Sequence, residues 1–188
     1  MTKIMFVCFG NICRSTMAEF VMKDLVAKAG LSNEIVVESA GTHPSVGTPM
    51  HYGTQSQLRL HDIPFTKKTS VQFTKADYQI YDYIIGMDKG NVEDIKYICG
   101  GDPDIKIDLL LDFANEHRDV DDPYYTDDYA TTYTDVTKGC TALLATIKTQ
   151  INRQSTFLDG KMGGLVVDTL TDTITDKIID TVADSIGD

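Results

Sequence analysis

The stretch Lys3-Ile4-Met5-Phe6-Val7-Cys8-Phe9-Gly10-Asn11-Ile12-Cys13-Arg14-Ser15 decides the fold. Lys3–Val7 is a short apolar run, too brief for a helix and suited to a buried strand. After Ser15, Met17, Phe20, Val21, Leu25 and Val26 recur at helical spacing, and Gly30 supplies a stop. The order is therefore strand, tight polar loop, helix. Further along, Glu34–Glu38 reads as a second strand and Gly41–Gly47 as a loop. Met50–His61 reads as a weaker helix, Tyr83–Met87 as a third strand and Val92–Cys99 as a helix. Ile105–Leu111 reads as a fourth strand, Asp119–Asp128 as an acidic loop around Pro123, and Tyr133–Ile151 as a closing helix. Strands alternating with helices predict an α/β fold, a four-stranded parallel sheet with helices on both faces. Such sheets bind ligands at the carboxyl ends of their strands, which directs attention to the loop after Val7.

Composition narrows the function classes. The chain has 188 residues, enough for one domain with a sizeable core. With 42% hydrophobic and 24% charged residues, wholesale disorder and a fibrous architecture are excluded. The formal charge of −11 repels nucleic-acid phosphates, and no dense Lys/Arg run offsets it. An anionic substrate must then be captured by a local device. No apolar run approaches the ~20 residues needed to span a bilayer, so no membrane partner is expected. Cys8, Cys13, Cys99 and Cys140 form no CxxC pair and no zinc-type cluster. A cytoplasmic protein with reduced thiols, no metal and no cofactor is the simplest expectation.

The Cys8–Ser15 loop has the makings of an anion site. Backbone N–H groups and a helix N-terminus favour negative charge. Gly10 permits unusual backbone angles. Arg14 offers a planar fork that matches phosphate oxygens. Cys8 faces the same hole, which favours a thiolate nucleophile. Ser15 can hydrogen-bond the sulfur. A cysteine at the end of a buried strand is more often a small core hydrophobe. The placement of Gly, Asn, Arg and Ser between strand and helix is what tips the balance.

The run Val7–Ser15, followed by Met17-Ala18-Glu19, resembles the low-molecular-weight protein tyrosine phosphatase family. Three further matches occur in order: Ser39-Ala40-Gly41-Thr42, Gly86-Met87-Asp88 and Asp122-Pro123-Tyr124-Tyr125. The resemblance spans about residues 3–153 and implies a phosphotyrosine protein phosphatase I-like domain over 1–154. It implies hydrolysis of phosphotyrosine in proteins, and of aryl phosphates, through a phosphocysteine. Cys8 would be the nucleophile, Arg14 the phosphate holder, and Asp122 the general acid and then base. Phe9, Gly10, Asn11, Ile12, Cys13 and Ser15 would surround the substrate phosphate. Tyr124 and Tyr125 would form an aromatic rim, and Ser39 would support the loop. Cys13 matches a second loop cysteine that could pair with Cys8 under oxidation; simple packing at the helix start is the alternative. Ile12 matches family members that act on phosphotyrosine, whereas relatives acting on phosphoarginine carry Thr.

Three departures stand out. Thr42–Gly47 is about one residue short and lacks an aromatic often found on the pocket wall. A histidine expected beside Ser39 is absent, its place falling near Lys67. Thr16 stands where many members have Pro. Two rival activities share the sequence features: an arsenate reductase of the same fold, which needs a relay of extra cysteines, and a non-catalytic phosphotyrosine-binding module.

Residues 155–188 lie beyond the resemblance as an acidic tail. Asp recurs every fourth residue from Asp168 to Asp188, with Leu170, Ile174, Ile178 and Val182 between. On a helix this makes an apolar stripe opposite a row of carboxylates. The Thr content equally suits an extended strand. The amphipathic helix is the preferred expectation, and its stripe could support self-association or partner docking.

Overall fold

The computed structural model describes residues 1–153. The expected tail, 155–188, lies outside the described residues. The site belongs to the compact unit formed by residues 1–146.

Four strands form one sheet: β1 (Thr2–Cys8), β2 (Ile35–Gly41), β3 (Tyr83–Gly86) and β4 (Ile107–Leu109). The order is β2-β1-β3-β4 and every pairing is parallel. The two central strands carry the deepest core. Ile4, Phe6, Val7, Ile84 and Ile85 are wholly buried, as expected of strands covered on both faces. Helix α1 (Arg14–Lys28) packs on β1 and β2, while helix α4 (Lys89–Cys99) packs on β3 and β4. The β1-to-β2 and β3-to-β4 crossovers run in opposite directions across the sheet. Right-handed connections therefore put α1 and α4 on opposite faces. The chain reverses direction at β1, so the carboxyl end of β1 is the switch point where a crevice opens. In register there are Cys8 beside Gly41 and Val7 beside Gly86.

The remaining helices are α2 (Tyr52–Leu60), α3 (Asp77–Ile80), α5 (Pro123–Thr126) and α6 over 129–153. Helix starts are set by side-chain caps. Asp88 accepts from Asn91 N at 2.6 Å to begin α4, three residues ahead of the sequence expectation. Asp128 accepts from Thr131 N at 2.9 Å, so α6 begins before Tyr133. The acidic loop contains α5, capped by Asp122, whose carboxylate accepts from Tyr124 N at 3.1 Å. Strand β4 is shorter than Ile105–Leu111. Ile105 has a left-handed φ of 52° and is exposed. The Asp102 carboxylate ties down the N–H groups of Lys106 and Ile107, making a turn where apolarity alone suggested a strand. Leu110–Ala114 then winds into a 3-10 turn. Among the described residues, no helix is long and apolar enough to cross a membrane.

Gly139 lets α6 approach this turn. A Cβ there would stand 2.5 Å from Leu110 Cγ and 3.0 Å from its carbonyl oxygen. In Gly139→Ala the gain in helix propensity, about 1 kcal/mol, opposes an overpacking cost of about 1–3 kcal/mol. A lowered midpoint in thermal or urea unfolding is expected, and an unchanged or raised midpoint would contradict the close approach.

Candidate active site

The loop between β1 and α1 turns on Asn11, which has φ 52° and is fully buried. Asn tolerates this left-handed angle better than most residues. Its side chain fastens three segments. Nδ2 donates to Ser15 Oγ and to Ser39 Oγ, each at 2.9 Å, and Oδ1 accepts from Val71 N at 3.0 Å. The amide nitrogen can only donate, so both serine oxygens receive its protons. Ser15 Oγ lies 3.0 Å from Cys8 Sγ, and its own proton can serve that sulfur. The Asn11 N–H also points at that sulfur, at 3.3 Å.

Ser39 in turn donates to Glu19 Oε2 at 2.6 Å. Glu19 is buried, with Lys68 Nζ 2.9 Å from Oε2 and Lys23 Nζ 2.5 Å from Oε1. Burial works against the charge of Glu19, but Lys23, Ser39 and Lys68 outweigh it and hold the carboxyl below its ordinary value. Lys68 also donates to Ser39 O at 3.1 Å. Thus Lys68 and Glu19 surround Ser39, next to the Lys67 position where a histidine was missed. Thr16 donates to Cys13 O at 2.9 Å, a bond that proline could not make. Gly41 closes the loop from above, since a Cβ there would meet Phe9 O at 2.7 Å.

Arg14 begins α1 and is 4% exposed. The guanidinium donates through Nη1 to Asp88 Oδ2 and through Nη2 to Asp122 Oδ2, both at 2.6 Å. Burial disfavours its charge, yet Cys8, Asp122 and Asp88 together raise its pKa further above the ordinary value. The N-terminus of α1 has no side-chain cap and no acid in its first turn. Its N–H groups remain available to an anion.

These groups open on a cleft of about 280 Å³. It is lined by Cys8, Phe9, Gly10, Ile12, Cys13 and Arg14 from the loop, Asp122, Tyr124 and Tyr125 from around α5, and His43, Ser45 and Thr48 from the loop after β2. Asp121 does not line it; Asp122 does, and it is held by Arg14. Asn11, Ser15 and Ser39 are fully buried behind the cleft, so their side chains brace the loop instead of touching a ligand. Tyr124 and Tyr125 meet edge to face at 5.4 Å and stand exposed at the rim. Cys99 and Cys140 are buried in α4 and α6 and do not line the cleft. Burial pushes both thiols up. No cysteine relay accompanies Cys8 apart from Cys13.

Four residues were not singled out by sequence reading. Asp88 was quoted only within Gly86-Met87-Asp88; its position just past β3, at the switch-point edge, was the available signal. Glu19 was quoted without a role. Lys68 and His43 carried no local signal.

A strand-loop-helix phosphate cradle with a cysteine, an arginine and an aspartate in one cleft defines a cysteine-dependent phosphatase of α/β architecture. The description of the family model that matches residues 3–154 is low molecular weight phosphotyrosine protein phosphatase. The chain belongs to the low-molecular-weight protein tyrosine phosphatase family. It is similar to the low molecular weight protein-tyrosine-phosphatase YfkJ of Bacillus subtilis, 40% identical over 79% of this chain and 97% of the relative. PtpA of Staphylococcus aureus is 42% identical over 77% of this chain and 92% of its own. The crystal structure of YfkJ superposes with a TM-score of 0.77, covering 80% of this chain and 96% of that one at 39% identity. SP-PTP of Streptococcus pyogenes superposes with a TM-score of 0.69 at 43% identity, covering 77% and 92%.

The lowered pKa of Glu19 has a stability consequence of defined sign. Its contribution is complete above the ordinary carboxyl value of 4.5 and fades as pH falls below that towards the folded value. Glu19→Gln should cost about 2 kcal/mol near neutrality. That is less than the ~3–5 kcal/mol of a fully buried broken pair, because Lys68 keeps some solvent and Gln keeps hydrogen bonds. The gap between variant and wild type should close as unfolding is followed below about pH 4.5. A gap that persists unchanged in acid would rule out the Glu19 charge as its source.

Proposed function

We propose that the chain hydrolyses phosphotyrosine in proteins, and aryl phosphates, through a phosphocysteine on Cys8. The observation that carries this reading is the meeting of the Cys8 sulfur, the buried Arg14 fork and the Asp122 carboxylate at the uncapped start of α1. An incoming phosphate dianion takes the place of the carboxylates on the Arg14 fork. Asp122 is then free to turn towards the leaving oxygen. The thiolate of Cys8 attacks phosphorus, the aryl P–O bond breaks, and protonated Asp122 gives its proton to the departing phenolate. A water then attacks the phosphocysteine while Asp122 takes the water's proton. The S–P bond breaks, inorganic phosphate leaves, and the thiolate returns. Every part is positioning and charge stabilisation, which is what phosphoryl transfer asks of a protein.

Several features support a phosphotyrosine substrate. The cleft walls are apolar and aromatic around a deep anion site, which suits a flat phenyl ring on a phosphate. Ile12 lines the wall. The surrounding protein is acidic, so capture depends on the local N–H groups and Arg14. The absence of a cysteine relay at the cleft beyond Cys13 disfavours arsenate reduction.

The test is hydrolysis of para-nitrophenyl phosphate with EDTA present. Cys8→Ser should abolish turnover, since the oxygen is a far weaker nucleophile. Asp122→Ala should lower kcat by about 10²–10⁴-fold, the range for a positioned general acid. Turnover that survives Cys8→Ser would sink the proposal. Phosphopeptide binding without any hydrolysis by the reduced wild type would favour the binding-module alternative.

A further inference from the structure

His43 is exposed, yet its imidazole is fixed on three sides. Its ring stacks on Phe9, with centroids 4.9 Å apart and planes inclined by 21°. Its Nδ1 lies 3.1 Å from Thr42 Oγ1 and 3.3 Å from Asp94 Oδ2. Its backbone N–H donates to Phe9 O at 2.9 Å, which stitches it to the phosphate loop. The side chain remains 58% exposed and borders the cleft. An exposed side chain rarely gains enough stability to justify so much fixing. What the fixing provides is a defined direction for the remaining ring nitrogen.

The hydrogen bonds also settle which nitrogen carries the proton. Thr42 Oγ1 donates its proton to Asp94 Oδ2 at 2.9 Å, so it can only accept from the ring. The Asp94 carboxylate is likewise an acceptor. Nδ1 faces two acceptors and must be the N–H. In the neutral ring Nε2 is then a lone-pair acceptor. Tyr124 and Tyr125 border the same cleft. A phosphotyrosine ring inserted there leaves its peptide main chain at the mouth, among these side chains.

We propose that His43 is a specificity-determining residue whose Nε2 accepts a hydrogen bond from a main-chain N–H of the peptide carrying the phosphotyrosine. Asp94 is a positioning residue that fixes the tautomer. This inference rests on the reading that the Cys8 cleft hydrolyses phosphotyrosine. It adds that peptide-borne phosphotyrosine is preferred over small aryl phosphates, which have no such N–H.

The experiment compares kcat and KM for a phosphotyrosyl peptide and for para-nitrophenyl phosphate. His43→Phe keeps the stack on Phe9 and removes both nitrogens. Its KM for the peptide should rise about fivefold more than its KM for para-nitrophenyl phosphate, as one neutral hydrogen bond implies. His43→Gln, with an amide oxygen to offer, should recover part of that difference. Asp94→Ala should show the same bias, about two- to threefold. Methylating the amide nitrogen of the phosphotyrosine or of the residue after it should, at one of the two positions, cost the wild type as much as His43→Phe does and cost His43→Phe nothing further. A peptide-to-aryl phosphate ratio within twofold of wild type in His43→Phe overturns the inference. So does an equal cost of both N-methylations in wild type and variant. A wild type inert towards para-nitrophenyl phosphate overturns the Cys8 reading itself, so the two failures are distinguishable.

Discussion

Asn11 holds three hydrogen bonds to Ser15, Ser39 and Val71 while its backbone sits in the left-handed region. No other residue type meets all of these demands. The side chain must be short, must offer two donors and an acceptor, and must tolerate positive φ. The bonds also have a fixed sense. Lys23 donates to Glu19 and Lys68 pairs with it, Ser39 donates to Glu19, Asn11 donates to Ser39 and Ser15, and Ser15 meets Cys8. A charge pair nearly two turns into α1 thus fixes the orientation of a hydroxyl at the nucleophile. Such a network is worth most when complete, because each buried group left unpaired costs about 1–3 kcal/mol. The loop is therefore rigid before any ligand arrives, and catalysis need not supply the ordering.

Arg14 places a second constraint on the same loop. Its fork is divided between Asp88, the cap of α4, and Asp122, the cap of α5. Asp88 uses one oxygen on Arg14 and the other to cap α4. The position of α4 and the direction of the guanidinium are consequently set by one carboxylate. In an acidic chain, this buried cation lies beside the uncapped N–H groups of α1, the local setting that suits an anion. The two carboxylates balance the charge of the fork.

Much of this was legible locally. The strand-loop-helix order around Cys8 follows from the apolar spacing of Lys3–Val7 and Met17–Val26 and from Gly10, Asn11 and Arg14 between them. Asp122 was legible as the acid preceding Pro123. What was not legible depends on partners distant in sequence. Glu19 lies within the helical run and looks like any surface carboxylate until β2 brings Ser39 to it. Lys68 belongs to an irregular stretch with no period to read. His43 is defined by Phe9 and by Asp94 on α4, fifty-one residues later. Strand β4 was overextended because Ile105 is apolar, and the Asp102 turn that exposes it carries no periodic signature.

The two loop cysteines show how one element can hold like groups in different states. Both are buried and both border the cleft. Cys8 sits at the end of β1, where the chain reverses and a hydroxyl and a backbone N–H converge on its sulfur. Cys13 sits at the start of α1 with its sulfur turned towards the Tyr129 hydroxyl, 3.7 Å away. That phenol is 2.6 Å from His51 Nδ1, which already accepts from Gly53 N. The Tyr129 hydroxyl thus bridges the His51 imidazole and the Cys13 sulfur. Burial, opposed by the contact with Tyr129, pushes the Cys13 thiol up to about 11. Burial thereby disfavours the charged form of the second sulfur, a few residues from the nucleophile. A second negative charge there would compete with phosphate for Arg14 and for the N-terminus of α1. The loop thus carries one sulfur met by the Ser15 hydroxyl and the Asn11 N–H and one buried beside the Tyr129 hydroxyl of α6.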